Sequence, residues 1–266
     1  MGQTDRTIRD FGEQWSHYAS NEGYYGSLEL FRDMLGPLLD TREFAGARVA
    51  EIGSGAGRIV RMLVECGAAH VLAVEPSDGV EALRANTREL ADKVEILHAS
   101  GESLPTDRGL DFVVSVGVIQ FIVDPLPTLK AARSALRPGG RVFVWVYGLE
   151  GNRLYVSGVR ALRAITTRLP HAVLDVLCGL LNGCVGLYIR ACRWLPLPMR
   201  DYMRHTLRQV SPAIRRLTIY DQLNPTYARY YRGEELRSLL EEAGFRDVRL
   251  YHRRGYSWSA TGEKPS

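Results

Sequence analysis

The chain has 266 residues, 45% of them hydrophobic and 24% charged, with a formal net charge of +4. That content buries a real core, as one large domain or one domain with an insertion, and excludes a chain too small or too polar to fold as a soluble globular protein.

Residues 1–45 are expected to form an N-terminal helical cap. FGEQWSHYA has amphipathic helical spacing, NEGYYGS is rich in turn formers, and LELFRDMLGPLLD resumes the helix. The opening MGQTDRTIRDFGEQW is polar and lacks the basic start and apolar stretch of a secretory leader, so the expected compartment is the cytoplasm.

From Arg48 the pattern changes to short apolar runs separated by helix-length segments. ARVAEIG, HVLAVEP, VEILHAS, LDFVVSVG and RVFVWVYG read as buried strands. RIVRMLVECG, DGVEALRANTRELAD and LPTLKAARSAL read as the helices between them. Such alternation implies a parallel sheet covered on both faces. LRPGGRV is expected to close the last of these helices, with Pro138 ending it and Gly139 and Gly140 turning the chain into the strand.

The stretch VAEIGSGAGRIV places glycines on alternate positions, which weakens any regular strand or helix. It sits where the first strand ends and a helix starts. There Gly53 permits a sharp turn, Gly55 lets a ligand approach the backbone, and Gly57 allows close helix packing. Dinucleotide enzymes use a related loop, but their last glycine falls three residues after the second, where this chain has Arg58. Glu51, two residues before the first glycine, would repel a pyrophosphate and attract an ammonium group. The ligand this loop suits is an amino acid joined to a nucleoside.

At this point residues 48–147 resemble the class I S-adenosylmethionine-dependent methyltransferases, in their UbiE/UbiG-like small-molecule branch. The resemblance implies an α/β fold: a Rossmann-like, doubly wound, mostly parallel seven-stranded sheet, with a helical insertion before the last helix and strands. It implies S-adenosylmethionine as cofactor. It assigns the cofactor to Glu51, Gly53, Ser54, Gly55 and Gly57 in the first loop. Glu75 and Pro76 follow at the end of the second strand, where the carboxylate meets the ribose hydroxyls. Next come Ser100, Gly101 and Glu102, where the family carries an acid at the position of Ser100, so that Glu102 takes the adenine contact. Ser115, Val116, Gly117 and Gln120 complete the set, with Gln120 near the transferred methyl group.

Between Val146 and about Gly233 the chain is too long for a loop, and residues 149–232 are expected to form a helical, substrate-selecting insertion. The core would then comprise residues 46–148, and residues 233–266 would supply the closing helix and strands. Within the insertion AVLDVLCGLLNGCVGLYI, residues 172–189, is nearly apolar. Its length suits a membrane span, but Asp175, Asn182 and three glycines favour a buried helix of a lid. Residues 190–216 carry seven arginines against Asp201, about +6, leaving the remainder of the chain near −2. A solvated helix face is one reading of that run; contact with a phosphate, an acidic carrier or an anionic membrane is the other.

Methyl transfer asks mainly for alignment, and a general base serves acceptors that carry a proton. Candidate bases are Asp221 in IYDQLNPTYARYY and His252 in LYHRRGYSW, with His17 a third. Tyr24, Tyr25, Tyr220, Tyr227, Tyr230 and Tyr231, with Trp15 and Tyr18, are candidate walls of the acceptor pocket, alongside Gln120. Cys66, Cys178, Cys184 and Cys192 fit no metal-ligand spacing and read as free thiols in packed helices.

The reading that results is a methyltransferase acting on oxygen or nitrogen of a small or lipid-like acceptor, anionic or carrier-bound, with peripheral membrane contact as a secondary expectation. No Asn/Asp-Pro-Pro-Tyr-like loop or Pro-Cys nucleophile follows the fourth strand, so nucleic acid is not expected as substrate. A nonenzymatic nucleoside-binding protein and a nicotinamide-dependent oxidoreductase are the rival readings.

Overall fold

The computed structural model describes residues 3–17, 21, 23–106 and 108–266, without the side chains of Gln3, Ser16 and His17. Helices α1 (Gln3–His17) and α2 (Leu28–Leu35) precede the sheet. The apolar runs form β1 (Arg48–Ile52), β2 (His70–Val74), β3 (Val94–Leu97) and β4 (Leu110–Val116), joined by α3 (Arg58–Glu65) and α4 (Val80–Asn86). Helix α5 (Leu126–Ala135) leads into β5 (Leu136–Tyr147). The insertion supplies α6 (Arg153–Thr166), α7 (His171–Ala191), the short α8 (Arg200–Tyr202) running into a wide turn at Met203–Leu207, and α9 (Pro212–Leu223). The chain closes with α10 (Gly233–Glu242), β6 (Arg246–Arg253) and β7 (Ser257–Glu263).

The seven strands lie in the order β3-β2-β1-β4-β5-β7-β6, parallel from β3 to β5, with β7 antiparallel to β5 and β6. Alternation of side chains along each strand fills two cores. Ala50, Ile52, Val113 and Val144 pack under α5 and α10, while Val49, Val71, Val114 and Phe143 pack under α2 and α3. Strand order reverses between β1 and β4, so a crevice opens outside their carboxyl ends, the place where open α/β sheets bind ligands.

The expected helix end at Pro138 is corrected by the structure. Helix α5 stops at Ala135, and Leu136 already pairs with Leu110, whereas the next paired residue, Arg141, lies opposite Phe112. Arg137–Gly140 therefore bulge within the strand, with Gly139 at φ +71°.

The expectation that the apolar helix is buried is also corrected. Only Leu174, Cys178 and Ile189 of α7 are buried, against Tyr220, Leu223, Ile214 and Leu217 of α9. Leu181 and Val185 are half-buried at the same contact, whereas Val173, Val176, Leu180 and Leu187 face outward with Cys184, which is exposed and not packed as expected.

Helix α1 is tied to the insertion. Asp10 accepts hydrogen bonds from the backbone N–H (3.1 Å) and Oγ1 (2.7 Å) of Thr226, and Asn224 donates to the Asp10 carbonyl at 3.0 Å. On the other side Phe11 meets Phe121 edge-on at 4.7 Å. The helix thus bridges the insertion and the carboxyl end of the sheet.

Arg253 on β6 is 1% exposed and paired with Asp33 of α2. Removing one partner of a buried pair strands the other charge. Asp33→Ala is expected to lower unfolding free energy in urea titration by about 3–5 kcal/mol. Arg254→Ala, which removes the more exposed partner of the same carboxylate, is expected to cost under about 1 kcal/mol.

Candidate functional site

The glycine loop is fixed at its start by Gly53 and Ser54, whose N–H groups donate to the Val74 carbonyl at 2.8 and 3.1 Å. Gly53 has φ +78°, and a Cβ there would stand 2.3 Å from Val118 Cγ2. At Gly55, φ +52°, a Cβ would stand 2.8 Å from Trp15 Cε2, because the Trp15 indole of α1 lies over the loop. Any larger residue at either position meets a strained backbone and an occupied space together.

Two carboxylates flank the loop. Glu75 Oε2 accepts from the Gly55 N–H at 2.7 Å, and its Oε1 accepts from the Ser77 N–H at 2.9 Å and the Ser77 Oγ at 2.5 Å. Glu51 is buried, and its Oε2 has no hydrogen-bond partner among the described residues. Burial pushes the Glu51 carboxyl up to about 7, and the charge of Glu75 adds to the rise. A buried carboxyl oxygen without a donor is costly in its charged form and is relieved by a cation.

These groups line a cavity of about 500 Å³ at the switch point of the sheet, large enough for a nucleoside-sized ligand. Of the residues expected to hold cofactor, Glu51, Gly53, Ser54, Gly55, Glu75, Pro76, Ser100, Gly101, Glu102, Val116 and Gly117 all lie on its wall. Three do not. Gly57 packs its backbone against Leu83 of α4 and the adjoining Thr87, and Ser115 turns inward to donate to the Ile52 carbonyl at 3.3 Å. Gln120 is fully buried behind Gly117, with both side-chain amide atoms unpartnered among the described residues, and lines neither cavity. Four acids, Glu51, Glu75, Glu102 and Asp124, face the cavity against Arg58 alone among the described residues. Such a wall favours a cationic ligand and opposes a pyrophosphate.

A second cavity of about 170 Å³ adjoins the first and shares seven wall residues with it, among them Phe11, Trp15, Tyr25, Val116, Gly117 and Phe121. Ten aromatic side chains line it. Tyr147 stacks on Tyr230 at 5.7 Å and meets Phe121 and Trp145 edge-on. Asp221 of α9 is the one carboxylate on this wall among the described residues. Its low-dielectric surroundings push it up to about 7, against a hydrogen bond from Gln14 Nε2 and the nearby Arg58 charge. Arg58 lies over the Tyr25 ring at 4.2 Å.

Of the tyrosines expected to form this wall, Tyr25 and Tyr230 do so. Tyr24, Tyr220, Tyr227 and Tyr231 do not. Tyr220 precedes Asp221 on the same helix and so points about 100° away from it, toward α7, where its hydroxyl meets His171. Tyr231 is fully buried beneath the sheet with Leu236. His252 is on the outer pair of strands, stacked on Trp258 with centroids 4.2 Å apart, and reaches neither cavity. Tyr18 and the side chain of His17 lie outside the described residues. Phe11, Phe121, Trp145, Tyr147, Tyr155, Tyr202 and Tyr256 complete the aromatic wall without having been expected there. Trp145 and Tyr147 do carry a signal, being the last two same-face residues at the carboxyl end of a core strand.

The family described as a methyltransferase domain matches residues 28–250. The chain is 32% identical over 134 residues to a ubiquinone biosynthesis O-methyltransferase of Aromatoleum aromaticum, covering 49% of this chain and 56% of the relative. It is 32% identical over 123 residues to a demethylmenaquinone methyltransferase of Clavibacter sepedonicus, covering 44% and 49%. The chain therefore spans about half the length of these curated relatives. Human N-acetylserotonin methyltransferase, solved in complex with S-adenosylmethionine, shares the fold with a TM-score of 0.52 at 15% identity, over 88% of this chain and 51% of that one.

Proposed function

This chain belongs to the methyltransferase-domain family, its cofactor is S-adenosylmethionine, and from that premise we propose that it methylates a hydroxyl oxygen on an aromatic, lipid-like acceptor. The observation that carries the proposal is Asp221: a single carboxylate in a cage of aromatic rings, facing an acid-lined cavity across a shared wall.

The residues present fit the cofactor. The unpartnered Oε2 of Glu51 suits its amino group, Glu75 suits the ribose hydroxyls, and Glu102 with Ser100 and Gly101 suits the adenine. When bound, the cofactor supplies an electrophilic sulfonium methyl. Phe11, Trp15, Tyr25 and Phe121 exclude water from the junction and fix the line of approach, an orientation effect that contributes about 7–11 kcal/mol in well-aligned systems. Asp221 takes the hydroxyl proton of the acceptor as its oxygen attacks, and a carboxyl near 7 is matched to that task at neutral pH. The aromatic walls stack a flat ring, and Arg58 admits an anionic substituent on it. The quinone-related names of the curated relatives support the same acceptor class.

Incubating the protein with methyl-labelled S-adenosylmethionine and a panel of quinols, catechols, amines and carbon acids tests this reading. Label in aryl methyl ether is the expected product. Label confined to nitrogen or carbon, or to no acceptor with a ring, would overturn it.

A further inference from the structure

The exposed surface of the insertion carries an apolar stripe along α7. On α7, Ala172, Val173, Val176, Leu180, Gly183, Cys184 and Leu187 fall within one arc of about 120° at 100° per residue. Val176 is 62% exposed, Leu180 68% and Leu187 65%, and no charged side chain interrupts the arc before Arg190. Just beyond the helix Trp194 is 82% exposed. A contiguous apolar stripe of this kind marks an interaction surface, unlike scattered single residues.

The chemistry beside the stripe indicates what covers it. Arg190, Arg193, Arg208 and Arg215 line a cleft that also includes Gly183 and Leu187 of the stripe, with no acid on its wall among the described residues. The Arg193 guanidinium lies 6.0 Å from the Trp194 ring. An apolar arc bordered by a tryptophan and clustered guanidinium groups matches the change from acyl chain to anionic headgroup at a lipid surface.

The helix is long and apolar enough to cross a membrane by length and composition. Its inner side is nevertheless held to α9: Arg216 pairs with Asp175, Asn182 Nδ2 donates to the Pro212 carbonyl at 2.9 Å, and Arg215 Nε donates to Asn182 Oδ1 at 2.6 Å. Crossing would break those contacts and carry Asp175 into hydrocarbon, whereas lying flat keeps them. We propose that α7, with Trp194 and the arginine cleft, docks the protein on an anionic bilayer with the helix in the plane of the interface. The segment that follows α7 supplies Met199, Tyr202, Leu207 and Val210 to the aromatic cavity. On the acceptor reading above, docking therefore brings that cavity beside the phase where a lipid-like acceptor is dissolved.

Cosedimentation of the full chain with vesicles tests the docking itself. Vesicles of phosphatidylcholine with about one-third phosphatidylglycerol are expected to bind at least about tenfold more protein than pure phosphatidylcholine vesicles, with the difference shrinking in high salt. The double substitution Leu180→Glu, Leu187→Glu is expected to reduce partitioning about tenfold or more, and Arg190→Ala with Arg193→Ala to remove much of the anionic preference. These positions are exposed and lie on the wall of neither the cofactor cavity nor the aromatic cavity, so unchanged S-adenosylmethionine affinity reports an intact fold in both variants. Wild-type protein left in the supernatant, or a Leu180/Leu187 variant that sediments like wild type, would overturn the proposal. So would a wild-type dimer split by the same double substitution in the absence of vesicle binding, which would assign the stripe to a second copy. Methyl transfer is scored separately in the labelling assay, so loss of one reading leaves the other testable.

Discussion

Asp221→Asn is expected to lower kcat by about 10²–10⁴-fold, the usual contribution of a positioned general base, with S-adenosylmethionine affinity nearly unchanged. The amide keeps the shape of the side chain and its place beside Gln14 but cannot accept a proton. Because the carboxyl sits near 7, the wild-type rate should climb about tenfold per pH unit below that value and level off above it. The Asn variant should lose the climb. Gln14→Ala provides the complementary test. The hydrogen bond from Gln14 holds the Asp221 carboxyl down, so its removal should move the climb to higher pH without abolishing it. A purely structural role for Asp221 would lower activity without reshaping the pH profile.

Glu51→Gln is expected to weaken S-adenosylmethionine binding by about 30- to 1000-fold, corresponding to the roughly 2–4 kcal/mol lost when one partner of a buried charged hydrogen bond is neutralised. The wild-type carboxyl, raised to about 7 by burial, must ionise to receive an ammonium group. At pH 6 binding should therefore release close to one proton, measurable by calorimetry in buffers of different ionisation enthalpy, and the Gln variant should release none. Affinity should rise with pH to about 7 and fall again above about 8, where the ligand's own amino group loses its proton. Stability without ligand runs the other way. Glu51 and Asp221 hold protons in the fold up to about 7, while unfolded carboxyls release them near 4.5 and 3.8. The stability these two groups contribute is therefore full below about pH 4 and is lost as pH rises toward 7.

The core of this fold was readable because its signals are local. Strands buried on both faces must be apolar throughout, so Val-rich runs located β1, β2, β4 and β5, while the half-buried edge strand β3 followed from its place in the strand–helix alternation. The alternate glycines between Glu51 and Arg58 located the loop that borders the larger cavity, because positive φ and close packing leave no room for a side chain there. What failed depended on partners distant in sequence. Tyr220 and Asp221 are neighbours in the chain, yet helix geometry gives one to α7 and the other to the cavity, and the choice depends on where α9 docks. Phe11 and Trp15 reach the cavities on a helix held by Thr226, Asn224 and Asp221, more than two hundred residues later in the chain. The apolar composition of α7 indicated burial, but burial needs a partner surface, and α9 covers only one flank of it. At Pro138 the proline and glycines did mark a break in regular structure, and the sheet absorbed it as a bulge because Leu136 had already found its place beside Leu110.

The most direct test of the two-cavity arrangement is a crystal structure with S-adenosylhomocysteine. The ligand is expected in the larger cavity, its amino group on Glu51, its ribose hydroxyls on Glu75, and its sulfur turned toward the wall shared with the aromatic cavity and Asp221. A ligand bound with neither carboxylate in contact, or with its sulfur facing away from that wall, would contradict the account.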